Sequence, residues 1–193
     1  MPKSGDPDVD RYEGGANCGR CVRVRCSCEQ EPDYAQGACQ QGGEETILFV
    51  VDSCPSCPYV GDIDTSTEGW NSLTGSEAFS KYDGTWEFVE CPETYVTGPL
   101  KLRFKEGSSK WWYALQPVNH RTKITNMEIS FGGESKELVF GNFEGFWWNG
   151  TEEISFPATI TITNSEGNTA SVTLNGEEDI STENELVLSG ELS

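Results

Sequence analysis

The sequence predicts an all-β protein built as two units, and three observations carry the prediction. Short alternating apolar runs recur along the 193 residues, and no long amphipathic helical pattern interrupts them. The runs are separated by clusters of Gly, Asn, Ser and Pro, with 21 glycines in all. All eight cysteines lie at or before Cys91, so the two halves differ in their chemistry.

In chain order, residues 1–13 are polar and expected to be flexible, with Val9–Tyr12 offering a short edge strand. A strand is expected over Thr46–Val51, followed in the cysteine-free half by Leu100–Phe104, Ile124–Ser130, Phe156–Thr163, Thr169–Leu174 and Leu186–Leu188. In each, side chains alternate between two faces, which suits a sheet buried on one side. The first domain is expected over residues 1–92, a linker over 93–98 and a second domain over 99–193. The size of the second domain and its even strand spacing fit a β-sandwich. The acidic stretch Gly176–Glu185 reads as a solvated loop before the last strand.

Cys18, Cys21, Cys26, Cys28, Cys39, Cys54, Cys57 and Cys91 form an even set in one half of an acidic chain, which reads as a disulfide framework and an extracellular location. The pairing does not follow from spacing. The rival is a four-sulfur zinc site from Cys18-x-x-Cys21 and Cys54-x-x-Cys57. It would leave four cysteines unexplained, so no metal and no cofactor are expected. No apolar leader follows Met1, which for a secreted protein implies a removed leader or a fragment. Asn149-Gly150-Thr151 is a glycosylation sequon compatible with that location.

The formal net charge of −19 excludes nucleic acid and anionic membrane surfaces as electrostatic partners, and disfavours acidic polysaccharides. No stretch is long and apolar enough to span a bilayer as a helix. A neutral glycan meets no such repulsion. The run Lys105-Glu106-Gly107-Ser108-Ser109-Lys110-Trp111-Trp112-Tyr113 offers a way to bind one, because flat aromatic rings stack on the C–H faces of sugar units. On a regular strand one tryptophan of the pair would be core and the other presented. A turn or bulge at Gly107–Ser109 would turn both outward.

Chemistry, if present, is expected around Val50–Asp64, where a strand ends in Asp52 and a loop stiffened by two cysteines returns to Asp62 and Asp64. Asp62 and Asp64 share a face of an extended segment, with Ile63 turned to the core. Glycoside hydrolysis needs two carboxyls on opposite sides of the bond. Asp52, Asp62, Asp10 and Glu13 are the candidates for the second group. His120, the single histidine, sits among apolar residues and reads as structural, so no nucleophilic triad is arguable.

The stretch from Arg103 through Trp111-Trp112-Tyr113-Ala114-Leu115-Gln116-Pro117-Val118-Asn119-His120 resembles the KEGSS-[RK]-WW…Q…NH run of the expansin and expansin-like family, microbial type. Gly14–Gly19, Val51-Asp52, Gly61-Asp62-Ile63-Asp64-Thr65-Ser66, Ala78-Phe79 and Trp86–Pro92 follow that family in order. The resemblance implies a six-stranded double-psi β-barrel followed by an immunoglobulin-like sandwich that serves as a family-63 carbohydrate-binding module. It implies that Asp64 is the essential groove aspartate and Asp52 the aspartate near it. Lys105, Trp111 and Trp112 fall on cellulose-contact positions, and Phe143 falls on that of the third platform aromatic. Trp147 and Trp148 have no counterpart there, and either extend the platform or fill core. The implied function is a secreted, monomeric protein that binds cellulose or another neutral β-glucan and loosens polysaccharide networks without hydrolysis. The alternatives are a family-45-type endo-β-glucanase with Asp64 as general acid, and a non-catalytic carbohydrate-binding protein. The chain departs from the family in its acidity, in Cys54 where an aromatic often stands, and in lacking a clear first strand.

Overall fold

The computed structural model describes residues 12–30, 45–54, 56–57, 61–76, 80–140, 146–148, 152–183, 185–190 and 192. Asp10, Cys39, Phe143, Asn149 and the side chain of Cys28, all singled out above, lie outside the described residues. So does the edge strand expected at Val9–Tyr12, apart from Tyr12, which forms a turn and is fully buried.

β1 (Cys21–Gln30) pairs antiparallel with β2 (Glu45–Phe49) and β3 (Tyr82–Val89), giving a three-stranded sheet in the order β2-β1-β3. Val22, Val24 and Cys26 are buried on one face of β1, where they meet Val50, Leu73 and Tyr12. Arg23 and Arg25 turn the other way, to Glu45 and Glu87. Among the described residues between β2 and β3 lies one short helix, α1 (Thr67–Thr74). The Ser66 hydroxyl accepts from the Gly69 amide at 3.1 Å, and Gly75 ends the helix in the left-handed region at φ 66°.

Ten strands follow among the described residues: β4 (Lys101–Phe104), β5 (Ala114–Val118), β6 (Ile124–Phe131), β7 (Glu134–Glu137), β8 (Val139–Phe140), β9 (Trp147–Trp148), β10 (Ala158–Asn164), β11 (Thr169–Leu174), β12 (Leu186–Val187) and β13 (Ser189–Gly190). They form two five-stranded sheets, β13-β11-β10-β6-β7 and β12-β4-β5-β9-β8. Leu102, Phe104, Leu115 and Trp147 of the second sheet share one core with Met127, Ile129, Ile160, Ile162 and Leu174 of the first. Two sheets closed over one apolar layer make a sandwich. On β10 the alternation is complete, with Ala158, Ile160, Ile162 and Asn164 buried in turn.

The chain is mostly β, as its sequence predicts. Of the barrel strands implied for the first half, the described residues hold three. Strands sit within two residues of the runs expected at Thr46–Val51, Leu100–Phe104, Ile124–Ser130, Phe156–Thr163, Thr169–Leu174 and Leu186–Leu188.

The two halves meet over a polar seam. Arg121 donates through Nε to the Cys91 carbonyl at 3.0 Å and forms ion pairs with Glu90 and Glu93 at 2.6 and 3.0 Å. Lys123 reaches Glu13 at 2.5 Å. A cavity of about 270 Å³ lies along the seam, lined by Cys18, Phe49, Arg103, Gln116 and His120 among others. The linker expected at 93–98 is pinned. The Asn119 amide nitrogen lies 2.7, 3.0 and 2.9 Å from the carbonyl oxygens of Thr97, Gly98 and Pro99, and Val96 packs on the Cys21 and Cys91 sulfurs' cluster.

Candidate functional site

The tryptophan pair sits on a tight turn. Gly107 takes φ 84°, and the Ser109 amide donates to the Trp112 carbonyl at 2.6 Å, closing the loop before β5. Tyr113 and Leu115 then enter the sandwich core, so Trp112, Ala114 and Gln116 lie on the face of the sheet away from that core, where Ala114 and Gln116 are themselves covered. Trp111, at the corner of the turn, is 60% exposed, and Trp112 is half-buried. The core place that one tryptophan of the pair would take on a regular strand belongs to Tyr113. Lys110 backs the Trp111 ring, its ammonium 5.0 Å from the centroid and 2.7 Å from Glu153.

Lys105 joins the same face. Phe104 is buried in the core, which turns Lys105 outward, and its ammonium stands 5.3 Å from the centroid of the Phe146 ring. Strand β9 divides the other tryptophan pair between the two faces: Trp147 is buried in the core and Trp148, half-buried, lies opposite it. A flat aromatic ring near a lysine on a sheet face can stack on a sugar while the ammonium hydrogen-bonds its hydroxyls.

In the first half, Asp64 lies exposed in an extended segment held at both ends. The Trp86 indole donates to the Gly61 carbonyl at 2.6 Å, and Ser66 caps α1. Between them Ile63 packs against the core and Asp62 forms an ion pair with Lys81 at 3.3 Å. Asp52 is exposed three residues beyond β2 and accepts from the Ser53 amide at 2.7 Å. Glu13, a candidate second carboxylate, is engaged elsewhere. Burial raises its pKa, but hydrogen bonds from Lys123 and Asn17 and the charges of Lys123 and Arg20 outweigh burial and leave it below the usual value. A carboxylate so held is a weak proton acceptor.

Sequence reasoning missed an aromatic cluster in the first half. Trp70 of α1 stacks on Tyr82 at 5.4 Å with planes 14° apart, and Trp86 meets Phe88 edge-on at 5.4 Å. Tyr82, Trp86 and Phe88 share one face of β3, the face that register places against Val22 and Val24. Their spacing of two and four residues was the available signal.

Cys21 is bonded to Cys91 and Cys54 to Cys57. The zinc alternative is thereby corrected, because three of its four sulfurs are spent in disulfides. Cys18 is a free thiol, 3.6 Å from the Gln116 amide nitrogen, and burial pushes its pKa up.

His120 is structural, as its surroundings predict. It is 6% exposed, with Nδ1 2.8 Å from the Thr122 carbonyl. Its ring packs so closely on Gly19 that a Cβ there would stand 2.4 Å from Nε2. Burial holds its pKa below 6.5, and the Arg20 charge pushes the same way. The unfolded chain therefore takes up a proton that the folded chain refuses. Stability is whole above pH 6.5 and falls as pH drops below it, by up to about 1.4 kcal/mol per pH unit until the folded pKa is reached. Thermal melts between pH 7.5 and 5.5 are expected to show wild type losing more stability than His120→Gln, and parallel losses would refute this.

No family model matches the chain. Among curated proteins it is similar to Expansin-YoaJ of Bacillus subtilis, 32% identical over 90 residues, which covers 47% of this chain and 37% of that protein. It is 26% identical over 128 residues to Expansin-like protein 1 of Dictyostelium discoideum, covering 64% of this chain and 39% of that one. The chain thus spans well under half the length of both relatives. Among solved structures, the apo expansin of Clavibacter michiganensis superposes with a TM-score of 0.69 at 25% identity, over 91% of this chain and 75% of that one. A variant of the same expansin in complex with cellohexaose gives a TM-score of 0.71 at 23% identity, with the same coverage. The chain is thus similar to named expansins in sequence and to a crystallographic expansin in fold, over 91% of its length.

Proposed function

We propose that this is a secreted expansin-like protein that binds cellulose or a related neutral β-glucan and loosens polysaccharide networks without cutting them. The observation that carries the reading is the outward face of Lys105, Trp111 and Trp112, with Trp111 60% exposed on a fixed turn. Cellohexaose in the similar expansin structure supports the ligand class. In this reading the units are residues 1–92 and 99–193, Phe143 completes the platform, and Asn149 carries a glycan in the secretory route. Stacking and hydrogen bonds compete with contacts between glucan chains and let those chains slip. Asp64 acts on the strained glucan as an acid or hydrogen-bonding group, with Asp52 nearby.

The paired test measures creep of isolated cell wall under load and release of reducing ends. Wild type is expected to extend the wall and release none, and Asp64→Asn to lose most of the extension while keeping its cellulose binding. Reducing ends that vanish in Asp64→Asn would replace this reading with the glucanase. Extension and binding both unchanged in Asp64→Asn would leave a binding protein with an inert first domain.

A further inference from the structure

We infer that Trp148 is a further glycan-stacking residue, which widens the platform from the turn before β5 onto the neighbouring strand β9. The inference rests on the proposed platform and goes beyond its expected members, Lys105, Trp111, Trp112 and Phe143.

Three observations place Trp148 there. Trp147 occupies the sandwich core at 5% exposure, and adjacent residues of a strand point to opposite faces, so Trp148 faces outward. Register pairs Trp148 with Ala114 on β5, and Leu115 with Trp147. Ala114 is two residues from Trp112 on the same face, so Trp148 is the diagonal neighbour of Trp112, at a backbone separation of about 7–8 Å. That is close enough for two large rings to meet one bound sugar surface.

The third observation is Lys105. It hydrogen-bonds through its amide to the Ala114 carbonyl at 2.9 Å and carries its ammonium to the Phe146 ring, two residues before Trp148 on the same side. The cation that belongs to the platform thus leans toward β9. Ala114 between the two tryptophans has no bulk to separate them. A half-buried tryptophan on the sheet face opposite the core, with a lysine near the preceding Phe146 and in line with half-buried Trp112, is placed to present its ring beside the platform.

Depletion isotherms on microcrystalline cellulose test this. Trp148→Leu keeps an apolar side chain on the sheet without a flat ring, and is expected to weaken binding about fivefold to thirtyfold, while Trp148→Phe stays within about threefold of wild type. Melting curves of both variants check that the sandwich is intact. Binding by folded Trp148→Leu equal to wild type overturns the inference, as does an equal loss in Trp148→Phe. The Trp111→Ala/Trp112→Ala variant serves as the control. If it weakens binding strongly while folded Trp148→Leu binds like wild type, only the extension fails; if it leaves binding unchanged, the platform itself fails.

Discussion

Replacing Trp111 and Trp112 together by alanine is expected to weaken cellulose binding about a thousandfold, taking each ring as an interface hot spot of about 2 kcal/mol. The two rings lose different things. Trp111 is 60% exposed at the corner of a turn, so Trp111→Ala removes stacking surface and little packing. It is expected to cost about thirtyfold in affinity with a melting temperature within about 2 °C of wild type. Trp112 is half-buried beside Ala114, and its loss includes local packing as well as ligand contact. Isotherms on insoluble cellulose, read beside melting curves, separate the two contributions. Binding by the double variant equal to wild type would remove the platform from the mechanism.

The second large effect concerns the Cys21–Cys91 disulfide. It closes a separation of 70 residues and joins the start of β1 to the chain just after β3, where both sulfurs are fully buried with Val96. Chain-entropy arithmetic assigns a loop of that length about 4 kcal/mol, against about 2 kcal/mol for the three-residue separation of Cys54–Cys57. Cys21→Ala/Cys91→Ala is therefore expected to lower the melting temperature by roughly 8–16 °C, and Cys54→Ala/Cys57→Ala by about half as much. Calorimetry on both pairs decides the matter. A smaller loss for the first pair than for the second would show that loop length does not set the contribution.

Five strands of the second half, β4, β6, β10, β11 and β12, were legible, most plainly β10, which buries alternate side chains such as Ile160 and Ile162; β5, β7, β8, β9 and β13 were not. β1 was not, although Val22, Val24 and Cys26 alternate with Arg23 and Arg25. Its cysteines invited a reading as cross-links, and only the register with β3 shows them on a buried face. α1 escaped because eight residues with one fully buried leucine, Leu73, make too short a period to read. At the site, residue types were visible and relations were not. Nothing local in Trp147-Trp148 says which ring enters the core; that follows from pairing with Leu115, more than thirty positions away. Likewise Glu13 read as a free carboxylate until folding brought Lys123 to it.

The pinned segment between the halves has a consequence for how the protein holds a polymer. A flexible tether lets a second contact form at an effective concentration set by its length, and the two contacts then make and break separately. Here Asn119 and Arg121 clamp the crossing, so Trp111 and Asp64 are carried on one frame. In the proposed function, a glucan held by the rings would meet the carboxylate at a spacing set by this crossing. Strain in such a polymer would then bear on the Asn119 and Arg121 contacts rather than be taken up by slack in a free tether.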